Sequence, residues 1–256
     1  MTSRFDSHDG QDFGANPSPM SSPLQIHYED NHHLVVEKVP NLLSQADITE
    51  RDDVLTMMKA YLVERDNKPG DAWLALAHRL DYPVGGLLLL AKTSKAASRL
   101  AAQMRDRTIE RLYVCVVQGK TPEEGSLENW LLKDRERNIT RAVSSKTPQA
   151  KFAALHYWRI AYQDGKSLLV VKLGTGRSHQ IRVQFQAAGF PLHGDRRYGR
   201  EEDGLALFAS GLSWEHVTLK EARQVIVFPQ TGIWQAWQAH RSQVIHLMET
   251  LLEQGS

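Results

Sequence analysis

The stretch AHRLDYPVGGLLLL (77–90) sets a guanidinium and a carboxylate two positions apart, just before a turn and an apolar run. A carboxylate at the mouth of a core is partly desolvated, which raises its pKa unless a cation stands nearby. When ionised, such an Asp can act as nucleophile or as base. In an extended segment Arg79 and Asp81 share a face, whereas an irregular loop can send them apart. The pair is therefore either a local ion pair that pins a turn before Pro83, or a reactive carboxylate with its own partner elsewhere.

Further groups with chemical potential follow. Tyr113 opens the strand-like LYVCVVQG, and GRSHQIR brings Arg177, Ser178, His179 and Arg182 close together in the chain. Ser178 beside His179 suggests a hydrolase, but no GxSxG elbow surrounds the serine, so a capping role is expected for it. Arg177 is read as a phosphate contact or a surface residue, and His179 as a phosphate contact or a helix cap. His78 is expected to orient the loop that carries Asp81. His32 and His33 are adjacent, a poor arrangement for chelating one ion from a strand, and a solvated turn is expected there; no metal site is expected. No GxxxxGK[ST] loop cradles a nucleotide phosphate.

These residues need a scaffold. LQIHYEDNHHLVVEKV (24–39) reads as two short strands around a polar turn. VLTMMKAYLVER (54–65) has helical spacing, with Asp52 or Asp53 as its N-cap, and LLLLAK (87–92) is a buried strand. TSKAASRLAAQMRDR (93–107) is a helix capped by Thr93 or Ser94, and strands are predicted at 112–119, 151–160 and 167–173. The basic LLKDRERNITRAVSSK (131–146) reads as a surface loop or hairpin. GRSHQIRVQFQAAG (176–189) enters a helix with Ile181, Phe185 and Ala188 inward and Gly189 as C-cap. The C-terminal residues form an amphipathic helix packing Trp237, Val244, Met248 and Leu251. Strands and helices mix without strict βαβ alternation, which favours a mostly antiparallel α/β sheet.

With 256 residues, 41% hydrophobic and 24% charged, the chain reads as an ordinary soluble globular protein. No apolar run approaches the ~20 residues that span a bilayer, and the N-terminus lacks the apolar core of a secretory signal. Cys115 is the only cysteine, which suits a reducing cytoplasm. The net charge of +1 conceals an asymmetry: residues 1–71 hold 6 Lys+Arg and 13 Asp+Glu, and the remainder 25 and 17. A basic body suits a polyanionic partner, although a solvated surface with chance asymmetry gives the same count.

Taken in order, HRLDYPVGGLLLLAK, RLYVCVVQG, TGRSHQIRVQF and GFPLHGDRRYG resemble the RluA-type RNA pseudouridine synthases. That family carries HRLD-x-x-x-x-GLLxxAK, a K/R-x-Y-x-x-x-V-x-G strand, a TGRxHQIRVHL-like helix entry and GHPxxGDxxYG. IHYEDNHHLVVEKVP is similar to its LYEDxxLLVVNKPAG, so the resemblance covers about residues 24 to 229. It implies a pseudouridine synthase fold: a central mixed, mostly antiparallel sheet flanked by helices and loops, with an RNA-binding cleft across it. The expected organisation is a disordered tail at 1–22, a catalytic domain at 23–232 without an S4 domain, and a packed C-terminal helix at 233–256.

The implied activity is isomerisation of specific uridines in structured ribosomal or transfer RNA. The bond from N1 of uracil to the ribose breaks, the base rotates, and it rejoins through C5. Because reactant and product are isomers, no cofactor is expected. The resemblance makes Asp81 the catalytic carboxylate, Tyr113 the aromatic packed on the base, and Arg182 the ion-pair partner of Asp81. It makes Arg79 the side chain that fills the space left by a flipped uridine. Asp81 can attack the base, attack C1′ of the ribose, or remove a ribose proton. The chain is expected to act as a cytoplasmic monomer with RNA as partner and no membrane contact. A non-catalytic RNA-binding protein that keeps the fold is the alternative. The sequence departs from the pattern at KVPN (38–41), which stands for KPAG, and at Phe208 and Val217, which stand for His and Pro.

Overall fold

The computed structural model describes residues 22–199 and 204–254. The tail expected to be disordered over 1–22 lies, apart from Ser22, outside the described residues. The strands are β1 (Ile26–Glu29), β2 (His33–Lys38), β3 (Ala75–Leu76), β4 (Gly85–Ala91), β5 (Glu110–Gln118), β6 (Glu124–Asp134), β7 (Ile139–Val143), β8 (Lys151–Gln163), β9 (Lys166–Leu173), β10 (Leu207–Glu215) and β11 (Ala222–Ile226). The helices are α1 (Val54–Arg65), α2 (Ser94–Asp106), α3 (Gln180–Ala187) and α4 (Arg241–Glu253).

The strands form a single sheet in the order β1-β2-β4-β10-β5-β9-β8-β6-β7, with β3 on β4 and β11 on β10. The short β4–β10 pairing is parallel and the other pairings are antiparallel, as the mixed element pattern predicted. The central strands are covered on both faces, which is why they read as unbroken apolar runs. Tyr113, Cys115 and Val117 of β5 join a core under α1 and α3, while Leu112, Val114 and Val116 join one under α4. On β4, Leu88 and Leu90 face the first core and Leu87 and Leu89 pack against α2.

The helix starts follow their capping residues. Asp53 accepts from the Thr56 amide at 3.0 Å to begin α1, and Thr93 accepts from the Ala96 amide at 3.1 Å to begin α2. Helix α3 begins at Gln180, after the loop that leads into it, and Ala188 is exposed rather than inward. It ends one residue before the expected cap, with Ala188 in that place and Gly189 at φ +84° just beyond, where a left-handed residue closes a helix. The C-terminal region is not one helix. Gly232–His240 is a 3₁₀ segment that buries Trp234 and Trp237, and α4 follows with Val244, Met248 and Leu251 buried.

The His32–His33 turn is also different from expectation. His33 is fully buried rather than solvated. Asp30 accepts from the amides of His32 and His33 at 2.6 Å, from the Tyr28 hydroxyl at 2.7 Å and from His216 Nε2 at 2.8 Å. His216 Nδ1 accepts from the Thr218 and Leu219 amides, so its proton stays on Nε2. Burial alone would raise the Asp30 carboxyl, but these hydrogen bonds together hold it far below the usual carboxylate range. The cluster ties the β1–β2 turn to the end of β10.

Gly86 shows how tightly β10 is inserted. Its φ is +121°, and a Cβ there would lie 2.4 Å from the Ala209 carbonyl oxygen and 2.5 Å from its nitrogen. Gly165 also has a positive φ, +72°, but a Cβ there would meet open space. Gly86→Ala should therefore cost about 3 kcal/mol or more of unfolding free energy in urea titrations. Gly165→Ala should cost only about 1 kcal/mol, the backbone penalty alone. Equal losses would show that the β4–β10 contact is slack.

Candidate active site

The loop joining β3 to β4 carries the four residues HRLD, and bonds at His78, Leu80 and Tyr82 anchor it. His78 Nε2 accepts from the Leu89 amide at 3.3 Å. Burial, with the Arg111 charge adding to it, pushes the His78 pKa down to about 3, so the ring is neutral. Ser44 Oγ donates to the Leu80 carbonyl at 3.0 Å and accepts from the Leu80 amide at 3.1 Å. The Tyr82 carbonyl accepts from Lys38 Nζ at 3.1 Å and from the Asn41 amide at 2.9 Å. With 78, 80 and 82 held, the intervening side chains of Arg79 and Asp81 both line the cleft in front of the loop. No ion pair joins them among the described residues, so the two charges serve separate purposes.

Lys38 is fully buried at the end of β2 and donates to three carbonyls, those of Val39, Leu42 and Tyr82, at 2.7–3.1 Å. Burial lowers its pKa to about 7, against the opposing attraction of Asp81. At the KVPN departure Asn41, which stands where KPAG has glycine, takes φ +61°, a left-handed conformation that Asn tolerates better than most residues. Phe208 is buried and lies against Gly85, and Val217 is buried under α2, so both departures near the end of the pattern are packing residues.

Arg182 projects from the first turn of α3 and is 5% exposed. Its Nε and one terminal nitrogen donate to the two oxygens of Asp195 at 2.8 and 2.7 Å. The remaining terminal nitrogen lies 3.4 Å from Asp81 Oδ2. The sequence pairs Arg182 with Asp81; the structure adds Asp195, 1% exposed, as the tighter partner. Burial would raise the Asp195 carboxyl, but the guanidinium and the amides of Tyr198 and Arg197 hold it below the ordinary range. Asp195 and Tyr198 belong to GDRRYG, a segment that the motif comparison matched without giving either residue a role.

His179 sits at the N-cap of α3 with φ +54°, but its side chain makes no capping bond. Its Nδ1 is 2.6 Å from the Tyr198 hydroxyl and its Nε2 is 3.8 Å from Asp81 Oδ2. Burial lowers its pKa, opposed by Asp81, so the ring is neutral at pH 7 and the approach to Asp81 is not an ion pair there. Ser178 Oγ accepts from Lys133 Nζ at 3.1 Å, while His179 bonds to Tyr198; they do not form a nucleophile–base pair. Arg177 spends its Nε on the Phe152 carbonyl at 2.9 Å. Tyr113, 6% exposed on β5, has its phenol pKa raised by burial.

Asp81, Tyr113, Arg182, Arg79, Arg177 and His179 all line one inner pocket of about 90 Å³. It opens into a cleft of about 1560 Å³, which Tyr113 alone of the six does not reach. Among the described residues that cleft is lined by nine Lys and Arg and three Asp and Glu. Lys133 and Arg135 of the basic 131–146 segment reach it from the β6–β7 hairpin, whereas Arg137 turns to Asp134. A polyanion fits the outer cleft on charge.

Comparison with known proteins agrees with this geometry. Residues 32–187 match the family described as RNA pseudouridylate synthase. The ribosomal large subunit pseudouridine synthase D of Zymomonas mobilis is 31% identical over 242 residues, covering 93% of this chain and 75% of that protein. The protein of the same name from Borreliella burgdorferi is 31% identical, but the match covers 73% of this chain and 58% of its own length. Human RNA pseudouridylate synthase domain containing 4 superposes with a TM-score of 0.69 at 17% identity, covering 85% of this chain and 92% of that one. Human RNA pseudouridylate synthase domain containing 1 gives 0.65 at 21% identity, with coverage of 88% and 97%. The last two establish the shared fold. No helix among the described residues is long and apolar enough to cross a membrane. The extent of the family match and the identity to the Zymomonas protein show that this chain belongs to the RNA pseudouridine synthase family.

Proposed function

We propose that this chain converts uridine to pseudouridine in ribosomal large-subunit RNA, acting as a cytoplasmic monomer. The observation that carries the reading is the placement of Asp81. Its carboxylate, 28% exposed, stands where a basic cleft narrows into a small pocket that also holds Tyr113. The substrate class follows the names of the Zymomonas and Borreliella relatives. All the groups invoked come from one chain, and the single cysteine, Cys115, is buried and free.

In this reading the target uridine leaves the RNA stack and enters the inner pocket, at a cost of a few kcal/mol. Tyr113 packs on the base. Asp81 is the catalytic carboxylate, and the charge of Arg182 holds it in place. Arg182 can do so without swinging towards the substrate, because Asp195 already fixes its plane through two hydrogen bonds. Arg79, exposed and without an ion-pair partner among the described residues, fills the gap left in the RNA. Arg177 and His179 line the entrance, facing the RNA backbone. The glycosidic bond breaks at N1 and a carbon–carbon bond forms at C5. The C5 proton is lost and N1 gains one, so the balance requires no net oxidation or reduction.

Asp81→Asn keeps the shape and removes the charge. Pseudouridine mapping of total RNA from cells carrying wild type, Asp81→Asn or no gene should show sites that vanish in the last two. Turnover of the purified variant should fall by roughly 10³-fold or more. Retention of the sites in Asp81→Asn cells would refute the assignment of Asp81, and an identical map in cells without the gene would refute the function.

The unequal sharing of Arg182 gives a further expectation. Asp195→Asn should lower kcat by about 10-fold or more on any substrate and reduce stability, because it leaves a buried guanidinium half-paired. Arg79→Ala should instead depend on the RNA, losing about 10-fold on a stem-loop and under about threefold on a short flexible strand, where extrusion is cheap. Single-turnover kinetics on both RNAs checks this. Equal losses for both variants on both RNAs would contradict the division of roles.

A further inference from the structure

Arg111 stands two residues before Tyr113 on β5, so both side chains leave the same face of the sheet. It lines both the inner pocket and the outer cleft, at the throat between them. Of the other cations there, Arg182 is engaged with Asp195 and Asp81 and Arg177 with the Phe152 carbonyl, while Arg79 is exposed and unpaired among the described residues. The Arg111 side chain makes no hydrogen bond or ion pair among the described residues, and its Nε is buried without an acceptor. His78, within electrostatic range, is in a similar condition. Its Nε2 accepts from the Leu89 amide, which leaves the proton on Nδ1, also buried without an acceptor. An unpaired buried donor is costly, and for Arg111, which lines both cavities, an acceptor can be supplied from outside.

Gly176 adds a second, independent observation. A Cβ at this position would lie 2.8 Å from one terminal nitrogen of Arg111 and 3.1 Å from the other. The guanidinium therefore lies against bare backbone, with both terminal nitrogens at a spot that any side chain would invade. A planar fork of donors suits the paired oxygens of a phosphodiester.

We propose that Arg111 grips the phosphodiester next to the flipped uridine as it crosses from the outer cleft to the inner pocket. The proposal rests on the reading that a uridine enters that pocket: if the base is inside and the strand outside, the linkage between them must pass the throat. Arg111 is then a binding residue that sets how far the nucleotide enters, distinct from the group that performs the chemistry.

A cycle of charge deletions tests this. The probe is an RNA pentamer with one central uridine, bound to wild type, Arg111→Met, Arg111→Lys and Gly176→Ala and followed by fluorescence anisotropy. One linkage at a time is made neutral as a methylphosphonate: 5′ of the uridine, 3′ of it, or at the end of the strand. Neutralising the gripped linkage should weaken wild-type binding about tenfold and Arg111→Met binding less than about twofold, a coupling of at least about 1 kcal/mol. The terminal linkage should cost both proteins the same factor. Arg111→Lys should retain part of the coupling. Gly176→Ala keeps the charge but displaces the fork, so it should lose most of the coupling while remaining folded. Equal penalties in wild type and Arg111→Met at both flanking linkages would overturn the proposal, as would a wild type that binds the pentamer no better than Arg111→Met. Neither arm needs turnover, so the pseudouridine map judges the enzymatic reading separately.

Discussion

One guanidinium between two carboxylates organises this site. Arg182 is nearly buried, and a buried cation with a lost partner costs roughly 3–5 kcal/mol. Asp195 meets that demand with two short bonds, leaving one terminal nitrogen directed at Asp81 across a longer gap. The asymmetry has a chemical meaning. In the proposed function a carboxylate locked in a bidentate pair would make a poor nucleophile or base, whereas Asp81, held at 3.4 Å, is positioned and still available. The surroundings are built to keep this difference. The helix that bears Arg182 buries residues 180 to 185 without interruption, and the Asp195 oxygens also take the amides of Arg197 and Tyr198.

The opposite wall of the site obeys a different constraint. The 78–82 loop has no regular partner strand, so its polar backbone groups must find bonds individually. Ser44 provides them for Leu80, and Lys38 and the Asn41 amide for Tyr82, while the Leu89 amide holds the His78 ring. On the loop so held, Arg79 and Asp81 both line the cleft. Charge of both signs can then occupy neighbouring positions without mutual neutralisation, since neither Arg79 nor Asp81 is free to fold back.

Much of this was legible in the chain. The buried strands announced themselves as apolar runs because both faces of the sheet are covered, and the α1 and α2 starts were marked by Asp53 and Thr93. The motif segments located Asp81, Tyr113 and Arg182, and the structure brings all three to one pocket. What escaped notice was non-local or half-exposed. The first half of β6, EGSLENW, alternates exposed with half-buried residues and offers no run to detect. Strand β10 contains Gly211 and two serines and reads as loop, yet eight of its nine residues are buried. Asp195 lies beside Arg196 and Arg197 in the chain, and only its contact with a residue thirteen positions earlier reveals its purpose. The buried state of His33 likewise depends on His216, far along the chain. The 3₁₀ segment was read as helix because its buried tryptophans, three residues apart, fit either spacing.

The position of β10 also governs when the site comes into being. Strands β4 and β5 follow one another in the chain, but β10 lies between them in the sheet, with Gly86 closed against Ala209. The carboxylate loop that leads into β4 and the tyrosine on β5 are therefore not brought to their final separation by the sequence-local hairpins and helices that form early. Their spacing waits for a strand that begins at Leu207. On a chain made from its N-terminus, the β5–β9 and β8–β9 antiparallel pairs can close first, while the β4–β10 closure bears the entropy of a loop of more than a hundred residues. A chain still emerging from the ribosome thus carries the acid and the aromatic group without the distance between them. The two groups lie at that distance only in a sheet closed through its middle.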